Sequence, residues 1–267
     1  MSAELPPFDT SFRPKFTQPP NPEWVLGQGV ESTPAGNEWM QGEKKGWKVV
    51  ETATEDPMRL YQLMISGIVP RPIAFVSSVS ETGIENIAPF SWFNMVTHNP
   101  PLVSIACSNG PVRVHDTTNN VRATKEFTVN IISEPWAEQA NITSIDAPES
   151  FSEWPLSGLT KEPSIHVKPP RVKESAFSME CELFQAIDII HPVTGRAGST
   201  MLLGHVKYIH VRNDMLTARG TVDMTLYRPL SRMGDVTYAR VGDGFRLARP
   251  SWEQEKDKVA ALGLPTE

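Results

Sequence analysis

Residues 85–94 read "ENIAPFSWFN", and the behaviour of this stretch decides the fold. It follows "RPIAFVSSV" (71–79), an apolar run of strand character, and the polar turn "SETG" (80–83). A plain hairpin return strand would alternate apolar and polar residues. Pro89 stands in the middle instead, with no N–H to give to a sheet ladder. Small residues, Ala88 and Ser91, lie among the large flat Phe90, Trp92 and Phe93. We read it as an irregular strand at the mouth of a β structure. Its aromatic side chains serve the core, and its open main-chain groups face outward.

Working outward, further strands are expected in "PPLVSIACS" (100–108), "EFTVNIIS" (126–133), "AFSMECELFQAIDII" (176–190) and "STMLLGHVKYIHVRN" (199–213). The last two are joined by "HPVTGRAG". Helices are few. "DPMRLYQLMISG" (56–67) has Asp56 as N-cap, Pro57 at the first helical position and Gly67 at the stop, with Leu60, Leu63 and Met64 as its apolar stripe. "HDTTNNVRATKE" (115–126) reads as a helix capped by Asp116 or Thr117, and "PWAEQANIT" (135–143) as a short one. At least six strands without regular β-α alternation imply a mainly β protein, an antiparallel sheet closed into a barrel. Residues 1–50 form a proline-rich arm, 51–250 the domain and 251–267 a C-terminal tail. Trp24, Trp39 and Trp47 predict an arm laid against the body, since disordered tails are poor in aromatics.

Composition excludes several classes. The chain has 267 residues, 39% hydrophobic and 21% charged, with a net charge of −6 and a pI near 5.6. Without a Lys/Arg cluster, nucleic acid is not an expected partner. No apolar run approaches the roughly 18–20 residues that cross a bilayer, so no membrane partner is expected. The N-terminus, carrying Glu4 and Asp9, lacks a signal-peptide core, and a cytoplasmic location is expected. Cys107 and Cys181 form no CxxC or Cys/His metal spacing and read as buried, reduced thiols. His205 and His210 fall on opposite sides of a strand, so no shared metal is expected. No GxSxG, HExxH, Rossmann or Walker motif occurs, and no catalytic side chain is nominated.

Chemistry concentrates in "CSNGPVRVHDTTNN" (107–120), which places Ser108, Arg113, His115, Asp116 and Thr117 around a helix start. Helix N-termini offer unpaired N–H groups and partial positive charge, and an Arg with hydroxyl donors completes a phosphate site. The alternative is an ordinary capped helix with a solvated Arg. Together with 85–94, this set suits a planar ligand with hydrogen-bonding edges and a phosphate tail.

"VPRPIAFVSSVSETGIENIAPFSWFNMVTHNPPLVSIACS" (69–108), "HDTTNNVRATKEFTVNII" (115–132) and "RPLSRMGDVTYA" (228–239) resemble the flavin reductase-like, FMN-binding split-barrel family. That family includes flavoredoxin-like proteins and the reductase components of two-component monooxygenases. The resemblance spans about 57–250 and implies a six-stranded antiparallel split barrel of Greek-key topology. It further implies a homodimer with FMN near the subunit interface. Ser77, Ser78 and residues 86–92, with Asn86, Ala88, Ser91 and Trp92, would line the isoalloxazine and ribityl chain. Ser108, Arg113, His115 and Thr117 would hold the phosphate, His115 standing where the family carries lysine, and Asp116 would cap the helix. Arg232 and Tyr238 are further pocket residues, and Arg196 can meet a nicotinamide phosphate. The implied chemistry is hydride transfer from NADH or NADPH to flavin N5, with oxygen, a partner monooxygenase or another molecule as acceptor. Two alternatives stand beside it: FMN binding without turnover, and fixed FMN reducing a specific organic substrate.

Overall fold

The computed structural model describes residues 5–110 and 113–266; Glu4 lies outside them. The chain divides into two compact units, residues 1–60 with 242–267, and residues 61–241. In the first, Phe16–Thr17 pairs in parallel with Gly244–Phe245. Its helix Pro34–Met40 is capped by Thr33, whose Oγ1 accepts from the Gly36 N–H at 3.0 Å. Trp24, Trp39 and Trp47, expected to lie against the body, belong to this unit.

Seven strands make the main sheet of the second unit: β1 (Ala74–Val79), β2 (Glu85–Phe90), β3 (Phe93–His98), β4 (Pro101–Ser108), β5 (Glu126–Ile131), β6 (Phe177–Ile190) and β7 (Ala197–Val211). Their order is β2-β1-β5-β6-β7-β4-β3, with every pair antiparallel. The expectation of six strands is thereby corrected to seven, and the reason lies in residues 85–98. They form two strands rather than one broken one, the second with a bulge between Met95 and Thr97. β2 pairs with β1 through Phe75↔Pro89, while β3 pairs with β4 at the opposite end of the order through Asn94↔Ser104. Pro89 is tolerated because β2 is an edge strand, where a missing N–H forfeits no ladder bond. The interruption falls instead at Ser91-Trp92, between the two strands.

The period-two alternation of these strands sorts the core into two layers. Val76, Ile105, Phe127, Cys181 and Leu202 pack on one side of the sheet. Phe75, Ile87, Trp136, Trp154 and Leu230 pack on the other. Both cysteines are fully buried and unbridged. Burial pushes the Cys107 thiol up to about 12 and raises Cys181 as well, so neither forms a thiolate at neutral pH. Gly204 of β7 is required by a close approach: a Cβ there would meet Phe127 Cζ at 2.4 Å.

Two helices bear on the site. In α1 (Pro57–Gly67), Asp56 Oδ1 accepts from the N–H groups of Met58 and Arg59 at 3.0 Å each, as an N-cap should. Its stripe differs from expectation, since Leu63 and Met64 are exposed and Ile65 is buried. α2 (Asp116–Thr124) packs on β1 and β2. Its cap is neither Asp116 nor Thr117 but His115, whose extended backbone precedes the helix and whose Nδ1 accepts from the Thr117 N–H at 3.4 Å. No helix among the described residues is long and apolar enough to cross a membrane. Among them no group of three or more His, Cys, Asp or Glu side chains could hold a metal ion.

Candidate functional site

β2, the end of β4 and the start of α2 meet around a cavity of about 620 Å³. Asn86 and Ala88 enter it from β2, Ser108 from β4, and Arg113 and His115 from the approach to α2. Its volume lies within the roughly 300–1,000 Å³ usual for small-molecule and cofactor sites. A second cavity of about 180 Å³ adjoins it, sharing Pro89 and Ser144. Ser91, Trp92, Arg232 and Tyr238 line this smaller space, with the Arg232 guanidinium 4.4 Å over the Tyr238 ring. Pro89 thus faces both cavities, although it does so from within a paired strand.

Hydrogen bonds fix the floor of the larger cavity. Thr117 Oγ1 donates to Asn86 Oδ1 at 2.8 Å, and Asn86 Nδ2 donates to Glu153 Oε2 at 2.8 Å. The Ile87 N–H also donates to Glu153 Oε2, at 3.3 Å. Asn86, Thr117 and Glu153 are all buried. Burial holds the Glu153 carboxyl above its ordinary range, although these donors pull the other way. Thr117 therefore lies beneath the cavity with its hydroxyl already committed. Ser77 and Ser78 are fully buried in β1 and line neither cavity. Ser78 Oγ accepts from Asn120 Nδ2 at 3.1 Å, and Ser77 Oγ is buried without a partner among the described residues.

His115 packs its ring edge-on against Phe90, centroids 4.9 Å apart. Burial lowers its basicity, with Asp116 opposing and Arg113 reinforcing that shift. Its Nδ1 accepts from Thr117, so the neutral ring carries its proton on Nε2 and can donate one bond. Arg113 supplies the cavity's guanidinium. Its Nη1 contacts Asp116 Oδ1 at 3.2 Å, and its Nη2 contacts Asp146 Oδ1 at 2.8 Å and the Ala147 carbonyl. The bond to Asp146, and then the charge of Asp116, raise its already high pKa.

Three partners escaped the sequence reading. Asp146 and Glu153 come from the proline- and serine-rich excursion, where no periodicity marks them. Arg71 is the third: buried, it donates from Nε to Ser91 Oγ at 3.3 Å and from Nη1 and Nη2 to the carbonyls of Ile68 and Met233, at 2.8 Å each. An arginine between two prolines in an apolar run was the available signal.

Residues 66–230 match the model of the flavin reductase-like domain. The chain belongs to the flavin reductase-like family. Among solved structures, it resembles nitrilotriacetate monooxygenase component B from Bacillus cereus at 32% identity and TM-score 0.73, covering 76% of this chain and 99% of that one. It also resembles 2-nitrobenzoate 2-nitroreductase from Pseudomonas fluorescens at 28% identity and TM-score 0.68, covering 76% and 97%. A split-barrel protein from Shewanella frigidimarina shares the fold at 21% identity and TM-score 0.64, covering 77% and 99%. The mainly β architecture of this flavin reductase-like protein is accordingly split-barrel-like.

Proposed function

We propose that this protein binds FMN and uses NADH or NADPH to reduce it, acting as a homodimer in the cytoplasm and passing electrons to a partner monooxygenase or another acceptor. The observation that carries the reading is the larger cavity. There a guanidinium, a neutral imidazole and the Ser108 hydroxyl converge at the start of α2, beside the small Ala88 of an edge strand. Those donors fit a phosphate, and the volume fits a flavin. When bound, FMN supplies the hydride-accepting and electron-releasing chemistry. The chain's own part is to bind, orient and shield. Arg113, His115 and Ser108 hold the phosphate, the buried Asn86–Thr117–Glu153 chain keeps β2 and α2 in fixed register, and Ala88 lets a flat ring approach the main chain. Resemblance to a monooxygenase component supports the partner oxygenase.

The test is an anaerobic absorbance scan of protein supplied with FMN and desalted, before and after NADH or NADPH. Retained flavin bands that bleach on adding the nicotinamide are expected. A colourless protein without FMN affinity would refute the reading.

The smaller cavity favours a second reading, in which fixed FMN serves a specific organic substrate. A space of about 150 Å³ is enough for a benzene ring, and this one, at about 180 Å³, has Arg232 at its wall. Resemblance to a nitroreductase points the same way. Nicotinamide oxidation that rises with added free FMN supports the first reading. Oxidation that needs an aromatic acceptor and ignores free FMN supports the second.

A further inference from the structure

The guanidinium expected to hold a phosphate already has carboxylate partners. Arg113 spends Nη1 on Asp116 and Nη2 on Asp146 and the Ala147 carbonyl, so both ends of the fork are engaged. The two carboxylates are not equivalent. Asp116 is the first residue of α2, with its side chain only 11% exposed and the helix N-terminus favouring its charge. Asp146 lies on the segment 143–147 that lines the cavity, with a side chain 96% exposed. The Nε–H and the second Nη1 hydrogen of Arg113 have no partner among the described residues. It is therefore a dianionic phosphate taking the Nη2 edge that displaces a carboxylate, and the solvated one is cheaper to release.

We propose that Asp146 is the specificity-determining residue of this cavity, a carboxylate that competes with a phosphate for the Nη2 edge of Arg113. The proposal rests on the flavin reading and deepens it. Asp146 weakens ligands that carry a terminal phosphate and leaves their unphosphorylated counterparts untouched, because only the phosphate contends for Nη2. Two effects act in one direction. The exposed Asp146–Arg113 pair must be given up, and any carboxylate left nearby repels the incoming charge.

Fluorescence titration of the purified full chain with FMN and with riboflavin separates these contributions. Asp146→Asn keeps the side-chain shape and should tighten FMN about threefold to tenfold, with riboflavin unchanged. Asp146→Lys should tighten FMN further. The gain should shrink at high salt, because the charges are exposed. FMN affinity equal in wild type and both variants would overturn the proposal while leaving the flavin site standing. Equal gains for FMN and riboflavin would also overturn it, placing Asp146 in the shape of the cavity instead. Binding of neither flavin by the wild type would overturn the flavin reading, and this proposal with it.

Discussion

Thr117 Oγ1 donates to Asn86 Oδ1 at 2.8 Å, both residues buried, and so ties the first turn of α2 to the edge strand β2 beneath the larger cavity. A hydroxyl that looks from its position like a phosphate ligand already donates, in this structure, to a buried side chain of β2. Its removal should therefore be read first as a change in stability.

Thr117→Val would leave Asn86 Oδ1 buried without its partner. An unsatisfied buried acceptor costs about 1–3 kcal/mol. For a unit of this size, Tm should fall by about 2–4 °C per kcal/mol. Thr117→Ser, which keeps the donor, should recover most of the loss. Calorimetry of the three proteins decides the matter, and an unshifted Tm in the valine variant would count against the bond.

Arg113→Ala removes the guanidinium from the cavity wall and leaves Asp116 and Asp146 facing it. Charge-assisted bonds of about 1.5–3 kcal/mol translate into FMN binding weaker by about tenfold to a hundredfold. Riboflavin should bind as before. Equal losses for the two ligands, measured by fluorescence titration, would assign Arg113 to the folding of the site.

Glu153 and Glu180 should respond to pH in opposite directions. Burial raises the Glu153 pKa, so the folded state holds that proton more tightly than the unfolded chain does. Its contribution is present below the ordinary glutamate pKa and is lost as pH rises through the raised value. Burial also acts to raise Glu180, but N–H donors from Ile165, His166 and Val167, with His210, outweigh it and leave its pKa lowered. Its contribution is present above the ordinary pKa and is lost as pH falls through the lowered value. Glu153→Gln should flatten the stability profile above the ordinary glutamate pKa, and Glu180→Gln should flatten it below. Urea unfolding across pH checks both, and identical profiles for the two variants would contradict the assignment.

Gly204→Ala would drive a methyl into the Phe127 ring, 2.4 Å from Cζ where contact normally begins well above 3 Å. Overpacking of this kind costs about 1–3 kcal/mol, read as a lower urea midpoint. Gly204→Ala with Phe127→Leu should regain part of it, because the ring is the obstacle. No recovery in the double variant would place the strain elsewhere.

Much of the strand content was legible, because the alternation along 126–133 and the strand-like runs at 73–79 and 176–190 are each set by a few neighbouring residues. The cap of α1 was legible for the same reason, Asp56 lying two and three residues from the N–H groups it accepts. The clustering of Ser108, Arg113 and His115 near a helix start was also visible, as one short stretch contains them. What that stretch does with its charges was not. Asp146 is 33 residues from Arg113, and Glu153 is 67 from Asn86.

By itself, the sequence determined a mainly β chain of the flavin reductase-like family with a polar set at the start of one helix. Local periodicity and short motifs suffice for that, since each reflects interactions among near neighbours. Only the tertiary structure decided that residues 85–98 divide between opposite ends of a seven-stranded sheet. It alone decided that Pro89 rests on an edge, that His115 rather than Asp116 caps α2, and that two carboxylates hold Arg113. The sheet edge and the Asp146 contact depend on which distant strand or loop packs against a residue. The His115 cap and the Asp116 contact span only two and three residues, and were hidden because adjacent polar residues compete for the same places.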